Sequence, residues 1–358
     1  MRKKIVGMLT TATLLTMALA GNVQAAEIRS VGPDGEAAVD ASTIELTDDQ
    51  IAQIKEGGYT AAICLHYGGN DWSTSQQKGL EDTFGELGIE IVAVTDANFS
   101  AETQVSNIET VMAKNPDILV SIPTDATATA DAYKQAAAAG IKIIFMDQRA
   151  NGLEAGKDYV SVVSADNYGN GYASGTVLGD ALGGKGKVAM VYYDANFAPT
   201  NQRDEGFRDA MKNYPDIEIV TEQGFTDESG CAEQGDAILT QFPNIDGIYA
   251  SWDVPMEGVL SAVRAAGMEG KVTLACNDLG NNVAREIASG NIAGGGAQMP
   301  YDQGVAEAKL AALALLGEET PSYVAVPAET VTHENVLEAY TDVYHVETPD
   351  WLKEAYVD

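Results

Sequence analysis

From residue 60 onward, short apolar runs alternate with amphipathic stretches, and no other feature limits the fold of this chain so strongly. Segments 60–66, 89–95, 118–123 and 142–147 read as strands rich in Ile, Val and Ala. Between them, 73–87, 101–114 and 126–139 carry apolar residues at helical spacing. A strand that is apolar on both sides must be covered on both sides. Helices of about 14 residues between such strands are crossovers, so the pattern predicts βαβ units around parallel sheets. Gly88 and Gly140 stand where helix C-caps fall. The rhythm continues through strands at 160–164, 187–193, 217–223, 247–253 and 272–278, with helices at 167–182, 200–213, 229–240, 255–266 and 279–289. About ten strands are many for one doubly wound sheet, so an α/β chain of two lobes with about five strands each is expected. No Pro/Ser-rich linker separates the halves, and ordered crossing segments should join them.

The charge balance narrows the partners. Among 358 residues there are 53 acidic and 21 basic side chains, a formal net charge of -32. Such a chain is repelled by nucleic-acid phosphates and anionic lipid heads, so no nucleic-acid partner is expected. With 3 Cys and 3 His, neither a disulfide scaffold nor a His-rich metal centre fits, and no metal and no cofactor are expected. Cys64 and Cys276 fall within strands and read as buried free thiols; Cys231 begins a helix. At the start, Arg2, Lys3 and Lys4 precede an apolar, Thr-broken run at 5–20, and Val23-Gln24-Ala25 offers the small residues of a cleavage site. Segment 1–25 therefore reads as a secretory signal peptide, too short and Thr-rich for a membrane span. Asn22 stands where a lipoprotein box would need Cys, so an unanchored, periplasmic mature chain is expected. Residues 26–42 read as a loose polar leader, with a short helix following at 47–58.

In open parallel sheets ligands bind beyond the carboxyl ends of the strands. Those positions hold His66 to Trp72, Asp147-Gln148-Arg149, Asp194 to Phe197 with Arg203, Phe225-Thr226-Asp227, Trp252-Asp253, Asn277-Asp278 and Gln298. Carboxylate, amide, guanidinium and aromatic ring recur. Hydroxyls offer both donors and acceptors, carboxylates and amides meet them in planar forks, and flat rings pack on the C–H faces of a sugar. Charged hydrogen bonds of roughly 1.5–3 kcal/mol each would discriminate between epimers.

These positions resemble the periplasmic sugar-binding proteins of ribose/galactose type, which feed ABC importers. The marks are Asn70-Asp71-Trp72, the Asp147 turn, Ser164-Ala165-Asp166-Asn167, Arg203-Asp204-Glu205-Gly206-Phe207, Trp252-Asp253, Asn277-Asp278 and Ala297-Gln298-Met299-Pro300, across roughly residues 60–327. The resemblance implies two lobes joined by three hinge segments (the type I architecture shared with lac-repressor ligand domains), with a sugar between them and a membrane permease as partner. It implies hydroxyl contacts from Asn70, Trp72 and Asp147 on the first lobe and from Arg203, Asp278 and Gln298 on the second lobe and hinge, with Phe225 or Thr226 as a wall. His66, Gln148, Trp252 and Asp253 complete the candidate set. It also implies lobes at 59–163 plus 298–324 and at 164–297 plus 325–340, a tail at 341–358, and a monomer. Where the ribose-type pattern has two adjacent Phe, this chain has Trp72-Ser73; the Arg usual after the Asp is Gln148, the usual Asn-Asp is Trp252-Asp253, and His66 replaces a small Ser. A pentose, a hexose and a polyol all stay open.

Other readings compete at single positions. Asp147 and Asp278 could cap helices, Trp72 and Trp252 could be core, and Arg203 could pair with Asp204 on the surface. Asp96 to Ser100 has the alternating oxygens of a calcium loop without its Gly or terminal Glu. Asp147 and Asp278 could also be the carboxylate pair of an exported glycosidase. A sensory carrier for a furanose signal or a nucleoside keeps the same architecture. A lac-repressor-type regulator would need a basic helix-turn-helix where segment 1–25 stands.

Overall fold

Two sheets account for the strands of this protein, whose computed structural model describes residues 28–357. The first sheet runs Val39–Asp40, Tyr323–Val326, Ser161–Ala165, Lys142–Met146, Ile118–Ser121, Thr60–Leu65, Glu90–Asp96, every neighbour parallel. The second runs Glu329–Thr332, Gly294–Ala297, Thr273–Cys276, Gly247–Ala250, Lys185–Tyr193, Asp216–Phe225, parallel except for the antiparallel edge strand Glu329–Thr332. Helices cover both faces of each, which is why Ala61 to Leu65 and Ile118 to Ser121 are buried along their whole length. The chain passes between the sheets at 165–167, 297–300 and 326–329, giving the ordered crossings expected from the absence of a linker.

Helix Asp71–Leu87 begins at Asn70, whose side chain accepts from Ser73 N, and ends at Gly88 with φ +69°. Helix Asn167–Ala181 lies against helix Ala198–Met211 at Gly171. A Cβ there would sit 1.8 Å from the Arg203 carbonyl oxygen, so only Gly lets the two backbones meet. That contact fixes the helix that carries Arg203.

Two expectations change. The leader is not loose: Val39–Asp40 pairs with Val324 and Ala325, and Asp166 accepts from Arg29 N at 2.9 Å, Ser30 N at 2.8 Å and Ser30 Oγ at 2.8 Å. Polar residues here find partners at a crossing rather than in water. The end of the chain is not a tail: helices Val336–Tyr344 and Asp350–Ala355 close the second lobe, where Val357 N donates to Ala288 O at 3.1 Å and Tyr344 Oη to Leu279 O at 2.8 Å. The border drawn between residues 324 and 325 falls inside strand Tyr323–Val326, and the return crossing follows it.

Candidate ligand-binding site

Between the sheets, the carboxyl ends of strands from both lobes face a common pocket. His66 follows Thr60–Leu65, Asp147 follows Lys142–Met146, Trp252 follows Gly247–Ala250, Asp278 follows Thr273–Cys276 and Gln298 follows Gly294–Ala297; all line it, with Asn70, Trp72 and Arg203. Arg203 is 5% exposed and organises the second-lobe side. Its Nη1 donates to Asp278 Oδ2 at 3.1 Å and to Ser251 O at 3.3 Å, and its Nε to Asn167 Oδ1 at 2.9 Å. Asp278 Oδ1 accepts from Gln298 Nε2 at 2.8 Å. Across the pocket, Asp147 Oδ1 accepts from Ser164 Oγ at 2.9 Å and Gln303 Nε2 at 3.3 Å. Burial raises the Asp147 carboxyl above its ordinary range, against the pull of the Arg203 charge.

Neither carboxylate caps a helix. Asp147 and Asp278 have φ of 53° and 69°, left-handed backbone that turns each side chain off its strand end into the pocket. Each turn is held by its own amide, Asp147 N to Val163 O at 2.8 Å and Asp278 N to Gly296 O at 2.9 Å. Such strain costs of order 1 kcal/mol per residue and collects at functional positions. Nor is Arg203 a surface pair with Asp204, which is itself buried and accepts from Ser251 Oγ at 2.6 Å. Both Asp278 oxygens are held, Oδ2 by Arg203 and Oδ1 by Gln298.

Polar atoms on the wall are left without partners. Gln298 Oε1, His66 Nδ1 and Trp72 Nε1 are buried and make no hydrogen bond among the described residues. Buried polar atoms are seldom orphaned, and a cluster around one pocket points to a ligand or water that completes them. Burial lowers the His66 imidazole to about 3, so it stays neutral. Its ring sits edge-on to Tyr67, Trp72 and Phe99 and stacks on Phe197 of the other lobe, with centroids 5.6 Å apart.

Four candidates lie elsewhere. Gln148 turns away from the pocket: its Nε2 donates to Pro123 O at 2.8 Å and its Oε1 accepts from Ala198 N at 3.2 Å. Phe225 is core, packed behind Trp252 and Tyr193 with centroids 5.1 and 5.6 Å away, so Trp252 forms the wall in its place. Thr226 is exposed one residue beyond it. Asp253 is buried but turned to the backbone, accepting from Val254 N at 2.8 Å and Gly280 N at 3.0 Å. Reading strand ends brought Tyr67 and Phe197 into view without choosing them for the site, and missed Phe99, Ile122, Tyr193, Pro199 and Thr200. The segment weighed as a calcium loop is a turn that delivers Phe99: Asp96 Oδ1 accepts from Asn98 N at 2.7 Å and Phe99 N donates to His66 O at 2.8 Å.

The lobes also touch outside the pocket. Asp71, opening a first-lobe helix, accepts from Asn281 N at 2.7 Å and Asn281 Nδ2 at 2.8 Å, at the start of a second-lobe helix. With the Gln148–Ala198 bond, these contacts mark a closed arrangement.

Two doubly wound lobes, three crossings and a polar pocket between them define a hinged solute receptor. Residues 61–319 match the periplasmic binding protein domain model, and the chain belongs to that family. A D-ribose/D-allose-binding protein of Pseudomonas aeruginosa is 29% identical over 273 residues, 73% of this chain and 83% of that protein. The D-allose-binding periplasmic protein of Escherichia coli is 26% identical over 255 residues, 70% of this chain and 82% of its own. Among solved structures, an ABC transporter periplasmic solute-binding protein from Actinobacillus succinogenes with bound D-allose superposes with TM-score 0.72 at 29% identity, covering 78% of this chain and 99% of its own.

Proposed function

We propose that this chain is an extracytoplasmic receptor that captures one monosaccharide or polyol between its lobes and delivers it to an ABC sugar importer. The observation that carries the reading is the joined set Arg203, Asp278 and Gln298 facing Asp147 across the pocket, with unpaired buried polar atoms and aromatic rings on the same walls. Hydroxyls would complete those atoms, and the rings would pack on C–H faces. Closure follows because the ligand contacts both lobes at once and so favours the shut form. The sugar-binding relatives support the substrate class, and segment 1–25 supports export. No helix among the described residues is long and apolar enough to cross a membrane. Calorimetry against pentoses, hexoses and polyols tests the reading: at least one should bind more tightly than about 100 μM, and no binding across the panel would sink it.

A further inference from the structure

Behind Asp147, inside the first lobe, lies a buried polar cluster that the binding set does not use. Helix Asp71–Leu87 brings Gln76, and helix Pro300–Leu315 brings Gln303 and Glu307; all three are 0% exposed. Gln303 and Glu307 are four residues apart and share a helix face, as do Trp72 and Gln76. The two helices meet at backbone distance: a Cβ on Gly304 would lie 2.3 Å from Gln76 O, and one on Gly79 would lie 2.2 Å from Tyr301 O. Gln76 Nε2 donates to Glu307 Oε1 at 2.6 Å. Gln303 Nε2 donates to Asp147 Oδ1 at 3.3 Å, where Ser164 Oγ and Ala165 N also donate, at 2.9 and 3.4 Å. Asp147 Oδ2 takes none of these bonds, and Asp147 lines the pocket.

Three atoms of this cluster have no partner, and all three are oxygens: Gln76 Oε1, Gln303 Oε1 and Glu307 Oε2. What the cluster lacks is a donor. An amide that gives its nitrogen to Asp147 turns its oxygen the other way, and on this helix face Glu307 comes next. Two acceptors cannot hold each other, and one proton between them makes the contact a hydrogen bond. Charge leads to the same place. Glu307 belongs to none of the ion pairs among the described residues. The charge that acts on it is that of Asp147, which is also negative, and Arg203 lies beyond Asp147 in the other lobe. Gln76 of the neighbouring helix and Ser164 of strand Ser161–Ala165 are neutral, and Lys78 pairs with Asp82 on the solvent face. A buried carboxylate with one neutral donor, beside a second carboxylate, takes up a proton in preference to holding its charge. Burial, with the Asp147 charge added, holds the Glu307 carboxyl well above its usual range.

We propose, resting on the reading of the pocket as a sugar site, that Glu307 is a positioning residue that keeps its proton in the folded chain. Its Oε2–H donates to Gln303 Oε1, which holds the Gln303 nitrogen on Asp147 Oδ1 and leaves Asp147 Oδ2 to a hydroxyl of the guest. The hydrogen bonds then run in one direction, from Gln76 through Glu307 and Gln303 to Asp147, each polarising the next. An ionised Glu307 would turn the Gln303 amide over and set its oxygen against Asp147.

The proton is tested without any sugar. In the unfolded chain Glu307 ionises above its ordinary value of 4.5, while the folded chain keeps the proton. Glu307→Gln has no such proton to lose. In urea unfolding of the mature chain between about pH 5.5 and 7.5, the unfolding constant of wild type relative to Glu307→Gln should rise about tenfold per pH unit. A rise of less than threefold per unit, as an ordered water in place of the proton would give, overturns the proposal. Glu307→Met, also neutral, runs the same series if Glu307→Gln does not fold. The positioning role is tested with whichever pentose, hexose or polyol of the calorimetric panel binds wild type most tightly. Glu307→Gln can accept from Gln76 and donate to Gln303, and should bind that sugar within threefold of wild type. Glu307→Met can do neither and should bind it at least fivefold more weakly. Wild-type affinity in Glu307→Met, or a Glu307→Gln as weak as Glu307→Met, removes the positioning role and leaves the sugar reading standing. A panel in which nothing binds overturns the positioning role together with the sugar reading, while the unfolding series still decides the proton.

Discussion

Replacing Asp71 by Ala should weaken ligand binding although Asp71 does not line the pocket. Its carboxylate accepts two hydrogen bonds from Asn281, one from the first backbone amide of helix Asn281–Ala288, and Tyr340 Oη holds the Asn281 amide in place from behind at 2.5 Å. These bonds join the two lobes and are lost when the lobes separate, so they stabilise the closed state alone. Buried charged hydrogen bonds are worth roughly 1.5–3 kcal/mol each. Asp71 is half-buried and Asn281 exposed, and solvent screening cuts the pair to about 1–2 kcal/mol in total. A ligand that binds only the closed form loses affinity by that same amount, a factor of about 5–30. Calorimetry on wild type and Asp71→Ala measures it, and the thermal midpoint of the ligand-free protein shows whether the fold is otherwise unchanged. Equal affinities in the two proteins would show that the Asp71–Asn281 contact does not bias closure.

Other residues give separate tests. Asp147→Ala should cost about 2 kcal/mol or more of ligand affinity, because a buried carboxylate facing the guest is removed; titration calorimetry reading wild-type affinity would take Asp147 out of the site. Arg203→Ala should weaken binding similarly and also lose about 3–5 kcal/mol of stability in urea, since Asp278 would be left as a buried charge without its ion-pair partner. Burial pushes the Asp204 carboxyl up to about 7, so the folded ligand-free protein holds a proton that the unfolded chain releases above its ordinary value of 3.8. Stability from this group is thus present at low pH and lost as pH rises toward 7. The wild-type advantage over Asp204→Asn should grow by about 1 kcal/mol for each pH unit of acidification between pH 6.5 and 5, and a constant difference in urea unfolding would refute it. Gly171→Ala should lower the thermal midpoint and weaken binding together, because its Cβ would push the Arg203 helix away; an unchanged midpoint would mean that the helices part at little cost.

The two-lobe architecture was legible because parallel strands covered on both faces must be apolar throughout, and Thr60–Leu65 or Ile118–Ser121 cannot be read otherwise. The strand Gly294–Ala297 was not legible, since Gly-Gly-Gly-Ala carries no strand preference. Its glycines answer to packing instead: a Cβ on Gly295 would lie 1.7 Å from Cys276 O. The leader and the last two helices escaped for a related reason, as their partners, Asp166 and helix Asn281–Ala288, are far away in sequence. In the site, the charged residues announced themselves, because a carboxylate or guanidinium just past a buried strand needs a purpose. Asp147, Arg203 and Asp278 all came to the pocket. The rings did not announce themselves. Phe225 and Phe197 look alike in sequence, yet Phe225 is sealed behind Trp252 and Phe197 reaches the pocket from the helix start. Whether an aromatic residue is core or wall depends on the bulk of its neighbours, and Trp252 settles it for Phe225. The charged side chains of the pocket were therefore written in residue type and the rings in packing. The substrate class could be read from the sequence because residue type alone carries it, while the placing of the rings needed the packing around them.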